Sequence, residues 1–183
     1  NEHYIGTIDG KTPVVSGLVY DLASVSKVVG VGTVVISLVR EGKLDIDAPL
    51  KQYYPDFYEE KVTLRQLLTH SSGINPFIPN RDALNAKELK EAINHITVED
   101  KKDFLYTDIN FLLLGFMLEG IFGKSLDEIF KETVFEPFDM TKTGFGPFKG
   151  AVPTVAGMSD GVVHDPKAKV LKNHAGSAGL FSN

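Results

Sequence analysis

Ala23-Ser24-Val25-Ser26-Lys27 leads directly into the apolar run Val28 to Val39, which closes on Arg40-Glu41-Gly42. An apolar run of that length, flanked by charge and ended by glycine, predicts a buried helix over residues 25–41. It falls short of the roughly 20 apolar residues that a membrane span requires. Ser24 and Lys27 are separated by three positions at the head of this helix, so they share one face. The lysine amine can therefore lie beside the serine hydroxyl. A serine is a weak nucleophile at neutral pH and needs a neighbouring base. A helix N-terminus adds free N–H groups and the positive end of the dipole, both favourable to a developing anion. These are components of an acyl-transfer centre.

The chain has 183 residues, which fits a single domain over 1–183 with a sizeable core. Apolar residues make up 43% and charged residues 23%, ordinary values for a globular protein. A net charge of −5 gives no basic footprint for nucleic acid. With no cysteine, a disulfide framework and thiolate metal sites are excluded, though the compartment is left open. The histidines lack ligand-like spacing, so neither a metal nor a cofactor is expected. The chain starts at Asn1 and enters strand-like sequence at once, and is therefore read as a piece of a longer protein.

Two short strands are expected over residues 3–9 and 14–20, around the Asp9-Gly10-Lys11 turn. Thr63 is the expected N-cap of a helix from Leu64 to His70, and Ala86 to His95 forms a second amphipathic helix. Residues 108–122 form a strongly apolar helix, and Ser125 caps another from Leu126 to about Val134. A Gly/Pro-rich stretch follows from Phe135 to Gly161, and the small, apolar segment Ala175 to Ser182 suits a closely packed strand. This order gives an α+β class. Strands over 1–20 and the segment 151–183 build an antiparallel sheet flanked by helices, and the helical region 21–150 forms a subdomain between them.

Three separated segments stand out: Ala23-Ser24-Val25-Ser26-Lys27; Tyr106-Thr107-Asp108 at the head of Ile109-Asn110-Phe111-Leu112-Leu113-Leu114-Gly115; and Ala175-Gly176-Ser177-Ala178-Gly179-Leu180-Phe181-Ser182. In order and spacing they resemble the active-site motifs of the serine β-lactamase and penicillin-binding protein superfamily, in its class C-like branch of DD-peptidases and esterases. Leu67-Leu68-Thr69-His70-Ser71-Ser72-Gly73-Ile74 and Val163-His164-Asp165 also look like that branch. A lone S-x-x-K is a weak signal, whereas the ordered set is specific.

The resemblance implies a serine hydrolase working through an acyl-enzyme at Ser24, on a D-Ala peptide, a β-lactam or a carboxylic ester. Lys27 or Tyr106 would take the Ser24 proton. The backbone N–H groups of Ser24 and Leu180 would form the oxyanion hole, and Asp108, Ser177, Ala178 and Gly179 would meet the substrate. Two positions depart from the pattern. Asp108 stands where asparagine is usual; a carboxylate cannot donate to a substrate carbonyl but can pair with Lys27. Alignment on Gly179-Leu180-Phe181-Ser182 puts Ser177 where a basic residue belongs, while a literal His-x-Gly lies at His174-Ala175-Gly176. A neutral residue there weakens carboxylate recognition and shifts weight toward esters.

The departures also support a catalytically silent relative that binds cell-wall ligands or a partner. The strands and docking helix that follow the third motif in that family are missing from these residues, so the fragment alone is expected to be inactive or marginally stable. An α/β-hydrolase nucleophile elbow at Ser177 fails, because the fold needs interleaved strands and a later acid and histidine. Among other candidates, Ser24 could merely cap the helix. Ser26 points off the face of Ser24 and reads as packing or as a hydrogen-bond donor behind the site. His70 reads as a helix-end histidine bonding loop carbonyls, and His164-Asp165 as structural.

Overall fold

A computed structural model describes residues 3–158, 161–172 and 175–183. Its centre is helix α4, Asp108–Phe122, in which every side from Ile109 to Leu118 is buried. A helix apolar all round must be enclosed by other elements. α2 (Leu64–Leu68), α3 (Ala86–Asn94), α5 (Leu126–Phe130) and the Ser24-Lys27 helix all pack against α4. Thr63 and Asn85 cap α2 and α3 with reciprocal capping boxes, closed by Gln66 and Glu88.

The first helix is continuous but not uniform. Lys27–Gly32 is wound as a π-helix before the chain tightens into α1, Thr33–Arg40. The same widening recurs at Lys131–Phe135, where α5 continues. Such wide turns are costly and cluster at functional sites.

The sheet is small and antiparallel. β3 (Leu180–Ser182) lies between β1 (Tyr20–Asp21) and β2 (Gly144–Phe145). Tyr20 pairs with Ser182 and Asp21 with Phe181 on one side; Gly144 pairs with Phe181 and Phe145 with Leu180 on the other. The α+β class stands, with a sheet that draws on both ends of the described chain.

Two details differ from the sequence reading. The expected strand over 3–9 and the start of that over 14–20 form a turn held by an isolated Thr7–Pro13 bridge and by Asp9, which accepts the N–H groups of Lys11 and Thr12, while the end of 14–20 enters the sheet at Tyr20, the first residue of β1. Little apolar surface is buried there: residues 3–7 and 9–13 are exposed, Ile5 at 88%, and cover by the core begins only at Val19. An isolated hairpin is marginal in water without such cover. Conversely, β2 rises from the Gly/Pro-rich stretch, where no strand was expected. No single described helix is long and apolar enough to cross a membrane.

Candidate active site

The turn that delivers Ser24 is built by Asp21. Its Oδ1 accepts the Ala23 N–H at 2.8 Å, and Ala23 is held in the left-handed region at φ 46°. A left-handed alanine costs of order 1–3 kcal/mol and persists only where its surroundings enforce it. It starts the helix so that Ser24 is exposed while Ser26 and Lys27 turn inward. Val25, Ser26 and Lys27 spend their N–H groups on the carbonyls of Leu22, Ala23 and Ser24.

Lys27 is 3% exposed, and its Nζ has three partners. It lies 3.0 Å from Ser24 Oγ, 2.8 Å from Asp108 Oδ1 and 3.0 Å from the Ser177 carbonyl oxygen. The carboxylate and the carbonyl can only accept, so they must receive N–H from the amine in either protonation state. The hydroxyl can do both. In the ammonium form Ser24 accepts the third N–H; in the neutral form the amine lone pair is left for the Ser24 proton. Geometry thus directs the one basic site of Lys27 at Ser24.

Three segments converge here for separate reasons. Asp108 occupies the first turn of α4, capped by Thr107, whose side chain accepts the Ile109 N–H. The Ser177 carbonyl reaches Lys27 because Gly176 lies flat against α4. A Cβ on Gly176 would fall 2.2 Å from the Phe111 carbonyl oxygen, and one on Gly115 would fall 3.2 Å from the Gly176 backbone. Only glycine at 176 permits that approach.

Tyr106 is half exposed, and Lys27 Nζ lies 5.0 Å from the centroid of its ring. The ammonium therefore meets the aromatic face, a cation–π contact, while its donors go to Ser24, Asp108 and Ser177. The other side of the Tyr106 environment is His70, with ring centroids 4.4 Å apart. His70 Nδ1 accepts the Thr107 N–H at 3.3 Å and contacts Asn110 Nδ2 at 3.0 Å. A backbone N–H only donates, so Nδ1 carries no proton. Asn110 is fixed in turn by Ser72 Oγ, which donates to its Oδ1 at 2.7 Å. This corrects the expected role of His70: it accepts from the Tyr106-Asp108 segment instead of bonding loop carbonyls. Burial, reinforced by the Lys27 charge, holds its pKa below the ordinary 6.5.

Asp108 is bound by two cations. Oδ1 meets Lys27 and Oδ2 meets Lys167 Nζ at 3.0 Å. Burial raises its pKa, yet the hydrogen bonds from Lys27 and Lys167, with their charges, outweigh burial and hold it below 3.8. Sequence reasoning missed Lys167. The signal was present in Asp165-Pro166, an N-cap followed by proline at the first helical position, which sets α6 (Pro166–Val170) with Lys167 in its first turn. His164 gives its N–H to Asp21 Oδ2 at 3.0 Å, so the His164-Asp165 segment braces the Ser24 turn from behind.

The third segment is placed differently from expectation. Leu180 donates its N–H to Ser26 Oγ at 3.1 Å, so that amide is engaged and does not face an oxyanion. Ser177, Ala178 and Gly179 are buried. Ser177 Oγ is enclosed without a hydrogen-bond partner among the described residues. What Ser177 presents to the cluster is its carbonyl. The alternative His174 lies outside the described residues.

The sequence profile of the family described as Beta-lactamase matches residues 2–183. A "Putative D-alanyl-D-alanine carboxypeptidase" of Escherichia coli K12 is 30% identical over 98% of this chain and 52% of its own length. FmtA from Staphylococcus aureus superposes with a TM-score of 0.75 at 23% identity, over 95% of this chain and 50% of that one. A class C β-lactamase from Rhodobacter sphaeroides gives 0.69 at 22%, over 98% and 52%. The chain spans about half the length of these relatives. Its fold is that of the β-lactamases and transpeptidases, and the chain belongs to the Beta-lactamase family of serine hydrolases.

Proposed function

We propose that Ser24 is the nucleophile of an acyl-enzyme serine hydrolase that acts on a D-alanyl peptide. The observation that carries this reading is the position of Lys27 Nζ, 3.0 Å from Ser24 Oγ with its remaining contacts on obligate acceptors. The neutral amine takes the Ser24 proton as Oγ bonds to the substrate carbonyl carbon. The Ser24 N–H at the helix start faces the developing oxyanion. The C–N bond then breaks, the leaving amine takes a proton from Lys27 or Tyr106, and water releases the acyl group by the reverse sequence. The Escherichia coli relative, by its name, supports the peptide substrate.

A carboxylic ester is the second reading, favoured by Ser177. Its side chain is neutral and sealed in the interior at the position where a cation was expected. An ester needs no carboxylate partner and carries a better leaving group.

The test is intact-protein mass spectrometry after incubation with a fluorophosphonate, a penicillin, an aryl ester and an acyl-D-Ala-D-Ala peptide. The expected result is an adduct on the native chain that is lost in Ser24→Ala, with D-alanine released from the peptide. Turnover of the ester alone selects the second reading. An adduct that persists in Ser24→Ala overturns the nucleophile assignment, and saturable peptide binding with no adduct leaves a silent binding protein.

A further inference from the structure

Tyr106 is half exposed, and its hydroxyl makes no hydrogen bond among the described residues. A side chain so placed can swing between rotamers unless another group holds its ring. His70 supplies that hold with three separate contacts. Its carbonyl oxygen accepts the Leu105 N–H at 2.8 Å, and its Nδ1 accepts the Thr107 N–H at 3.3 Å. The two residues that flank Tyr106 therefore hang on one histidine. The imidazole also packs on the Tyr106 ring, with centroids 4.4 Å apart and planes inclined by 35°.

The backbone of His70 makes this triple contact possible. Its φ is 55°, in the left-handed region, one residue beyond the Thr69 cap of α2. Helix ends usually give that position to glycine or asparagine. A histidine there is strained and persists only where its surroundings enforce the conformation. The turn aims the carbonyl and the ring at the same neighbouring segment. Glycine at 70 would relieve the backbone and keep the Leu105 bond, but would give up both contacts of the ring. That ring is fixed from behind. Asn110 Nδ2 stands 3.0 Å from Nδ1, Ser72 Oγ donates to Asn110 Oδ1 at 2.7 Å, and the Ile74 N–H donates to Ser72 Oγ at 3.3 Å. Ser72 and Asn110 are both buried.

We propose that His70 is a positioning residue for Tyr106: its carbonyl, its Nδ1 and its ring together lock the phenol where it can exchange a proton with Ser24 and Lys27. The inference rests on the acyl-enzyme reading for its catalytic meaning, and on the contacts of His70 for its geometry. No hydrogen bond joins His70 to Ser24 or Lys27 among the described residues, so it acts through Tyr106. The role calls for an acceptor and a flat ring, not for a proton on the imidazole.

A double-mutant cycle in the full-length protein tests this, read by the rate of fluorophosphonate labelling and by turnover of an aryl ester. His70→Ala is expected to slow labelling about 10–10²-fold, the effect of a misplacement near 1 Å. Ester kcat should fall likewise, with KM unchanged. In a Tyr106→Phe background the same substitution should alter the rate by no more than about twofold, because the group it positions is gone. His70→Asn should label faster than His70→Ala, since asparagine accepts the left-handed backbone and its Oδ1 can replace Nδ1 as acceptor. A readout independent of activity is the fluorine NMR resonance of 3-fluorotyrosine placed at position 106. The His70 ring displaces that resonance, and it should move toward the exposed-tyrosine value in His70→Ala.

Equal losses in the native and Tyr106→Phe backgrounds overturn the proposal. So does native-like labelling by Tyr106→Phe, or a folded His70→Ala that keeps the native rate or the native fluorine resonance. His70→Asn carries the same cycle where His70→Ala fails to fold. Failure of the native protein to label sinks the acyl-enzyme reading, and the fluorine comparison then still decides whether His70 holds Tyr106.

Discussion

Ser26 and Leu180 are joined across the molecule: the Leu180 N–H donates to Ser26 Oγ at 3.1 Å, and both residues are buried. This bond ties the helix that carries Ser24 to the central strand of the sheet. It also explains why the second serine of Ser24-Val25-Ser26-Lys27 is polar although it faces the core. Ser26→Ala leaves the Leu180 amide without that partner in a buried site, at a cost of about 1–3 kcal/mol. Denaturant unfolding checks this, and a loss within ±0.5 kcal/mol would show that water replaces the hydroxyl.

Two glycines on α4 should respond in opposite directions. Gly115 faces the Gly176 backbone, where an added Cβ would stand 3.2 Å away, and Leu126 at 3.1 Å. Gly120 meets nothing within 4 Å. Gly115→Ala is expected to destabilise by about 1–3 kcal/mol through overpacking. Gly120→Ala is expected to stabilise by about 0.5–1 kcal/mol from helix propensity. Thermal unfolding of the two variants, side by side, reads both signs.

The Asp108 carboxyl, held below its ordinary 3.8 by Lys27 and Lys167 against the effect of burial, makes stability pH-dependent in the acid range. Its folded pKa is depressed, so the contribution is complete above the unfolded value and disappears as pH falls through the folded one. Asp108→Asn should therefore flatten the acid limb below about pH 4, measured as melting temperature against pH. An equally steep acid limb in the variant assigns it to other carboxylates.

His70 titrates in a different window. Burial and the Lys27 charge lower its pKa from 6.5, and protonation of Nδ1 would expel the Thr107 and Asn110 donors. The stabilisation is present above pH 6.5 and declines as pH drops toward the folded pKa. Native protein should lose melting temperature as pH falls below 6.5, and His70→Gln should lose that slope. Retention of the slope in a folded variant points to another histidine.

Tyr106→Phe keeps the ring that packs on His70 and faces Lys27 and removes only the hydroxyl. Melting temperature should stay within a few degrees, while the rate of acyl transfer to Ser24 falls about 10²–10⁴-fold if the phenol moves a proton. Unimpaired turnover would leave the proton traffic to Lys27 alone.

The helices were legible in the sequence because their causes are local. The run Val28 to Val39, the caps Thr63 and Ser125, and the apolar stretch of α4 each announce themselves within one or two turns. The pairing of Ser24 with Lys27 follows from helical pitch alone. The strand expected over 3–9 was misjudged because strand formation depends on an apolar partner surface, which local alternation cannot supply; the one over 14–20 joins the sheet only at Tyr20.

What only tertiary structure decided is which groups share a proton or a charge. Gly176 lying flat on α4 put a carbonyl, not a side chain, from the third motif onto Lys27. Leu180 went to Ser26, and Lys167 crossed from another element to Asp108. A helix repeats at fixed spacing, so its face can be counted along the chain. Contacts between residues 27, 108 and 167 depend on how packed elements meet, and their energies change steeply over an ångström.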